Sequence, residues 1–311
     1  MAHGTLHDTD LNNVWEILTK YWDLPIPKLL ISVTGGAKRF EMKPRLKNIL
    51  KQGLCHAATS TGAWIITGGT GTGIMQIVGE AIHEYMMAHG VQDQKLVALG
   101  IATWGIVSNR SALVGKSDKG LFPATYASED VQADTRGAPL DHNHTHFILV
   151  DNGTENIYGG EIKFRTALES YISKKVVTGV AQNQSVHVPN VLLVVEGGVN
   201  TMATVSESIR QKIPVVIIEG TGKAADFISL GFNKSQSNKK NPEKTDFPNE
   251  FDEDMKEKAR KMFVWNKETE NDKKKKIDDC LRSLKELLQL KNYSKCLMLA
   301  YLVLFELVLD V

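Results

Sequence analysis

The sequence predicts an α/β fold in which a parallel sheet is flanked by helices, and three observations predict it. The strand candidates are nearly continuous apolar runs, helix-period segments alternate with them, and each of four runs ends in a glycine turn. The runs LLISV (29–33), WII (64–66), VLLVV (191–195) and VVII (215–218), which lead into the glycine turns, and VALGIA (97–102) lack the alternation of a half-exposed strand. A strand that is apolar throughout is buried on both faces, the condition of parallel sheets covered by helices.

The elements follow in order. Val14, Ile17, Leu18 and Trp22 share a helical face, with Asp8 or Asp10 available as a cap. PIPK leads into the first strand, at about residues 28–34. Leu46, Ile49, Leu50 and Leu54 mark a helix that Gly62 ends, and AWIITGG is the second strand. Ile74, Ile77, Val78, Ala81, Ile82 and Tyr85 mark the next helix, before the strand LVALGIATWG. The second half repeats the idiom: THFILVDNG, the helix EIKFRTALESYISKK, VPNVLLVVEGG, the helix NTMATVSESIRQK, and IPVVIIEGTG leading into KAADFISL. Between the halves, residues 105–144 are polar and irregular, a connection long enough to be functional or a lid. Three segments result: an α/β domain at 1–231, a polar linker at 232–256 and a helical appendage at 257–311, in which Ile277, Leu281, Leu284, Leu287 and Leu288 mark an amphipathic helix.

Composition narrows the function. Of 311 residues, 42% are hydrophobic and 23% charged, and the formal net charge is +1, so no global field favours nucleic acid. Three cysteines without a CxxC pair fit a reducing compartment and build neither a disulfide framework nor a zinc site. The N-terminus lacks the basic and apolar regions of a signal peptide. CLMLAYLVLFELVL (296–309) contains Glu306 and is short of the roughly twenty residues of a membrane span, so it reads as a helix buried against protein. A cytoplasmic location follows as the expectation.

The glycine turns are ISVTGG (31–36), IITGGTGTG (65–73), VVEGGVNT (194–201) and VIIEGTG (216–222). Parallel strands joined by right-handed crossovers end on one edge of the sheet, where ligands bind. Glycine lets backbone approach a ligand there, and helix N-termini offer N–H groups to an anion, so phosphate is the natural guest. Neither GxGxxG nor a P-loop is present. Arg165 and Lys223 are the cations placed to finish a phosphate site, though each also reads as a solvated surface cation. Tyr158 could stack on a base, and unaided it reads as packing. His142, His144 and His146 alternate without a cysteine partner or HExxH, which argues against zinc. No G-x-S-x-G is present, Cys55 sits mid-helix, and Glu196 reads as a binding group rather than an acid or base.

LLISVTGGAKRFEMKPRL (29–46), GAWIITGG (62–69), GIATWGIVSNR (100–110), NHTHFILVDNGT (143–154) and VVEGG (194–198) carry a resemblance to the cytosolic N-terminal melastatin homology region of the melastatin-type transient receptor potential cation channels. It covers about Asp8 to Leu230, and ATWG and YGGEIKFRT look most like the ADP-ribose-gated members. The resemblance implies a Rossmann-like fold of the kind shared with lysine-decarboxylase-like nucleoside-monophosphate hydrolases. It implies ADP-ribose, or a related adenine nucleotide, as ligand, with no cofactor, no metal and no nucleic acid. In that likeness Tyr158 stacks on adenine and Arg165 holds phosphate. Lys223 stands where the relatives carry arginine, keeping the charge without the fork. Thr34, Gly35, Gly36, Gly69, Thr103, Glu196, Gly197, Gly198, Thr201 and Gly222 form the walls. Partners would be the remainder of a calcium-permeable channel and neighbouring subunits of a homotetramer, with no membrane insertion by this segment. The hydrolases' turn reads P-G-G-x-G-T-x-x-E, whereas here Asn200 replaces the middle glycine and Thr204 the glutamate. Catalysis is therefore not expected; a nucleotide N-glycoside hydrolase and a ligand-free assembly domain are the alternatives. The 311 residues contain no six-helix membrane domain, so this chain alone is not expected to conduct ions.

Overall fold

The computed structural model describes residues 1–38, 40–90, 96–115, 123–127, 137–177, 186–237, 249–263, 269–289 and 297–300. The chain forms two compact units, Met1–Ser32 with Lys51–Asn190 and Val33–Leu50 with Val191–Val311.

In the first unit the strands are β1 (Ala2–Leu6), the start of β2 (Leu30–Gly35), β3 (Trp64–Thr67), β4 (Val97–Thr103) and β5 (His146–Asp151). They lie parallel in the order β1-β5-β4-β3-β2. All seven residues of β4 are buried, the outcome expected of a strand covered on both faces. The helices are α1 (Leu11–Glu16), the body of α2 (Pro44–Thr61), α3 (Gly73–His89) and α4 (Ile162–Ser173). Asp10 caps α1 by accepting from Asn12 N at 2.9 Å, a bond that satisfies one of the helix's orphan donors. The main core joins Val14 and Leu18 to Trp64, Leu99, Ile101 and Val150 of the strands and to Phe164, Leu168 and Ile172 of α4. β6 (Val176–Val177) and β7 (Val186–His187) add a short antiparallel pair.

The second unit holds the end of β2, the main part of β8 (Asn190–Val195), and β9 (Val215–Ile218) and β10 (Leu297–Ala300). β8, β9 and β10 are parallel neighbours. Its helices are α5 (Val199–Arg210), α6 (Lys223–Ser237), α7 (Asn249–Met262) and α8 (Glu270–Gln289). Ile277, Cys280, Leu281, Leu284 and Leu287 of α8 are buried at helical spacing, in one core with Val205, Phe227, Met255 and Phe263. A Cβ on Gly231 would lie 2.8 Å from Leu284 Cδ1, so glycine is what lets α6 and α8 approach.

The parallel α/β architecture is the one expected, and three local readings are corrected. The N-terminus, read without an element, supplies β1, because its backbone satisfies the free edge of β5. Leu297–Ala300, read as helix, pair as a strand with β9 for the same reason; residues 301–311 lie outside the described residues. The supposed linker is helical at both described ends, where Met255 is buried and Lys234 pairs with Asp254. Among the described residues no helix is long and apolar enough to cross a membrane.

His146 opens β5 half-buried, its ring centroid 5.1 Å from that of Trp22. Burial foremost, and then the charge of the Met1 amino group, push its pKa down from 6.5 to about 4. The folded state thus holds it neutral where an unfolded chain would protonate it. Its contribution to stability is fully present above pH 6.5 and is lost as pH falls through about 4. Urea titrations across that window should show stability falling with acid, and His146→Asn should flatten the slope. An unchanged slope would assign the effect to other groups.

Candidate functional site

The expected ligand contacts fall in both units. In the first, Thr67 closes β3 and the chain turns through Gly69, whose φ is +69° and whose Cβ position lies 2.8 Å from Gly100 Cα. Two glycines therefore face each other across β3 and β4, so this turn is glycine first for backbone packing. Gly69 N donates to Thr67 Oγ1 at 2.8 Å. His144 Nε2 lies 2.7 Å from the same oxygen, and His144 Nδ1 lies 3.2 Å from Asp141 Oδ1. With Nδ1 donating to the carboxylate, Nε2 accepts the threonine hydroxyl, a tautomer set by its partners. Thr67 is fully buried, so the array fixes the turn. The three histidines do not share a face: His142 is exposed, His144 is buried in this array, and His146 alone lies in the strand. Among the described residues no group of three His, Cys, Asp or Glu could hold a metal.

Thr103 ends β4 fully buried. Its hydroxyl donates to the Glu161 carboxylate and accepts from Glu161 N at 3.2 Å, tying β4 to the start of α4. Tyr158 precedes that helix and is 50% exposed, beside exposed Ile157 and Ile162. Partial burial pushes its hydroxyl pKa up. A half-exposed ring does not fill the packing role it suggests unaided. Arg165, on the first turns of α4, is not a solvated cation: its side chain is 13% exposed and its Nε lies 2.9 Å from Glu169 Oε1.

In the second unit, Thr34 is half-buried, and Gly36 N donates to Val195 O at 3.1 Å. A Cβ on Gly35 would lie 1.9 Å from Val195 O, and one on Gly36 would lie 1.9 Å from Glu196 Oε2. These glycines make room for the end of β8 and for a carboxylate. Glu196 is buried with φ +56°, and its N–H donates to Thr221 Oγ1 at 2.8 Å. Its Oε1 meets Lys223 Nζ at 2.6 Å. Lys223 begins α6, where a cation has the wrong sign for the helix dipole, and the Glu196 carboxylate offsets that charge. Gly197, with φ +91°, lies against Thr201, whose Oγ1 accepts from Gly198 N at 3.1 Å. Gly198 differs from the other glycines of this unit's turns, since a Cβ there would meet nothing within 4 Å. It stands at the N-terminus of α5, whose first N–H groups have no intrahelical partner. Gly222, φ +101°, lies beside Glu196 and brings Lys223 to it.

Sequence reasoning missed the groups that hold these residues: Glu161 on Thr103, Gly100 against Gly69, and Ser32 and Glu169 on Arg165. Only the Arg165–Glu169 spacing of four carried a signal, that of a helical ion pair.

Residues 5–280 match the family model described as SLOG in TRPM. The chain is 49% identical over 227 residues to transient receptor potential cation channel subfamily M member-like 2 of Nematostella vectensis, covering 73% of this chain and 14% of that protein. To subfamily M member 2 of Mus musculus it is 43% identical over 222 residues, 71% of this chain and 14% of that one. To subfamily M member 7 of Homo sapiens it is 39% identical over 226 residues, 72% and 12% respectively. The chain thus spans 12–14% of the length of these relatives. With a family match over nearly its whole length, the chain belongs to the SLOG domains of TRPM cation channels.

Proposed function

We propose that this chain is the ligand-sensing domain of a melastatin-type, calcium-permeable cation channel, binding ADP-ribose or a related adenine nucleotide on the cytoplasmic side. The observation that carries the reading is Arg165: a guanidinium nearly withdrawn from water, held at fixed acceptors, close in sequence to the half-exposed ring of Tyr158. A planar cation fixed in this way suits phosphate. The ligand contacts proposed are Gly69, Thr103, Tyr158 and Arg165 in the first unit. In the second they are Thr34, Gly35, Gly36, Glu196, Gly197, Gly198, Thr201, Gly222 and Lys223. Lys223 exchanges the Glu196 carboxylate for phosphate, so it contributes only the difference between those two interactions. In the homotetramer, binding shifts gating by the ligand's differential affinity for open and closed states.

No catalysis is proposed, because Asn200 and Thr204 replace the hydrolases' glycine and glutamate. Titration calorimetry with ADP-ribose, AMP and NAD tests the reading: ADP-ribose should give a saturable isotherm, and a flat trace from folded protein would sink it. Chromatography of AMP and ADP-ribose after incubation with excess protein should show both intact. Released base or ribose phosphate would establish the hydrolase instead.

A further inference from the structure

Arg165, Glu169 and Ser32 close a ring of hydrogen bonds. Glu169, one helical turn on, accepts from Arg165 Nε through Oε1 at 2.9 Å. The same oxygen accepts the Ser32 hydroxyl at 2.7 Å, and Ser32 Oγ accepts a terminal guanidinium nitrogen of Arg165 at 2.7 Å. That nitrogen also donates to the Ile66 carbonyl at 3.0 Å. Glu169 Oε2 lies 3.5 Å from Asn190 Nδ2. Among the described residues, buried Asn190 Oδ1 has no hydrogen-bond partner. The side chains of Arg165 and Glu169 are 13% and 9% exposed, so the ring is shielded from water and its geometry is sharply defined.

Two opposite effects of Glu169 on an anion at Arg165 can be separated. Its charge cancels part of the attraction that the guanidinium exerts. Its oxygen, with Ser32, fixes one edge of the guanidinium plane and removes the rotamer freedom of a long side chain. Phosphate recognition by arginine depends on planar, directed hydrogen bonds. Without Glu169 the guanidinium loses its charged acceptor and is left to neutral ones such as Ser32 Oγ and the Ile66 carbonyl, which fix its plane less firmly. The geometric effect therefore dominates.

We infer that Glu169, supported by Ser32, is the positioning residue for Arg165 in phosphate recognition, an assignment that rests on the nucleotide-binding reading above. Glu169 does not itself touch the ligand. Glu169→Ala and Glu169→Gln therefore act differently. Glutamine keeps a carbonyl oxygen for Arg165 Nε and the Ser32 hydroxyl, and a flip of the Asn190 carboxamide turns its Oδ1 toward the new amide in place of Nδ2. It keeps the geometry and removes the charge.

The test is calorimetric titration of ADP-ribose into the full chain and its variants, with affinities referred to the folded fraction. Glu169→Ala should weaken binding about 10-fold, the lower end for loss of a charged hydrogen bond. Glu169→Gln should bind at least as tightly as the parent. Tighter binding by both variants would show that Glu169 only neutralises Arg165 and would overturn the assignment. Unchanged binding by Glu169→Ala, with Arg165→Ala weakened, would also overturn it while leaving the nucleotide reading intact. A flat titration of the parent chain would overturn both. Should Glu169→Ala not fold, Ser32→Ala opens the same ring and must weaken binding in the same direction; unchanged affinity there contradicts the inference.

Discussion

Gly35→Ala should cost the protein a large part of its stability. The added Cβ would lie 1.9 Å from Val195 O and 2.9 Å from Val195 C, and both are backbone atoms of β8. No rotamer change relieves such a contact, so the strand end must move. The movement breaks the Gly36 N to Val195 O hydrogen bond of 3.1 Å and displaces the neighbouring Glu196. Overpacking against backbone costs about 3 kcal/mol, and the hydrogen bond adds about 1 kcal/mol. At about 2–4 °C per kcal/mol for a chain of this size, the melting temperature should fall by roughly 8–16 °C. Gly198→Ala is the matched control, since its Cβ meets nothing within 4 Å. As alanine replaces glycine at the N-cap of α5, its stability should fall by no more than about 1 kcal/mol. Differential scanning calorimetry of the pair checks both values, and equal melting temperatures would refute the packing account of the first glycine turn.

Arg165→Ala should produce the largest loss of nucleotide affinity of any single substitution. It removes a charged donor from a place where water does not substitute for it. A lost charged hydrogen bond is worth roughly 1.5–3 kcal/mol, which is about 10- to 150-fold in Kd. The same change leaves the buried Glu169 carboxylate without its cation, so stability falls as well. Affinity must therefore be measured on the folded fraction, at a temperature well below the variant's transition. Arg165→Lys should recover the charge but not the fork, because an ammonium cannot reach Glu169, Ser32 and the Ile66 carbonyl together. Its affinity should lie between the parent and alanine. Binding by Arg165→Ala equal to that of the parent would remove Arg165 from the ligand's contacts.

The fold was legible where burial alone decides structure. VALGIA is apolar without alternation, and β4 is buried at every position. The face from Ile277 to Leu288 gave α8 from its period. What stayed hidden depends on pairing between distant segments. Nothing in AHGTL marks a strand until β5 offers a free edge, and LMLA reads equally as helix until β9 does the same. The glycine turns were legible as turns, yet the reason for each glycine was not. Gly35 and Gly36 face Val195 and Glu196, and Gly69 faces Gly100, contacts that no local pattern encodes. Arg165, Lys223 and Glu196 stood out beside turns, but the pairing of the two cations with Glu169 and Glu196 did not. Glu169 looks like any acidic residue on a helix, and the Glu196 pair with Lys223 spans two turns of the chain.

The central claim is that this SLOG domain holds an adenine nucleotide through Arg165 and its glycine turns. A crystal structure of the chain grown with ADP-ribose tests that claim most directly. The account predicts difference density for the pyrophosphate within hydrogen-bond distance of the Arg165 guanidinium, with the adenine stacked on Tyr158. Density for the nucleotide away from both residues, or none at saturating ADP-ribose, would contradict it.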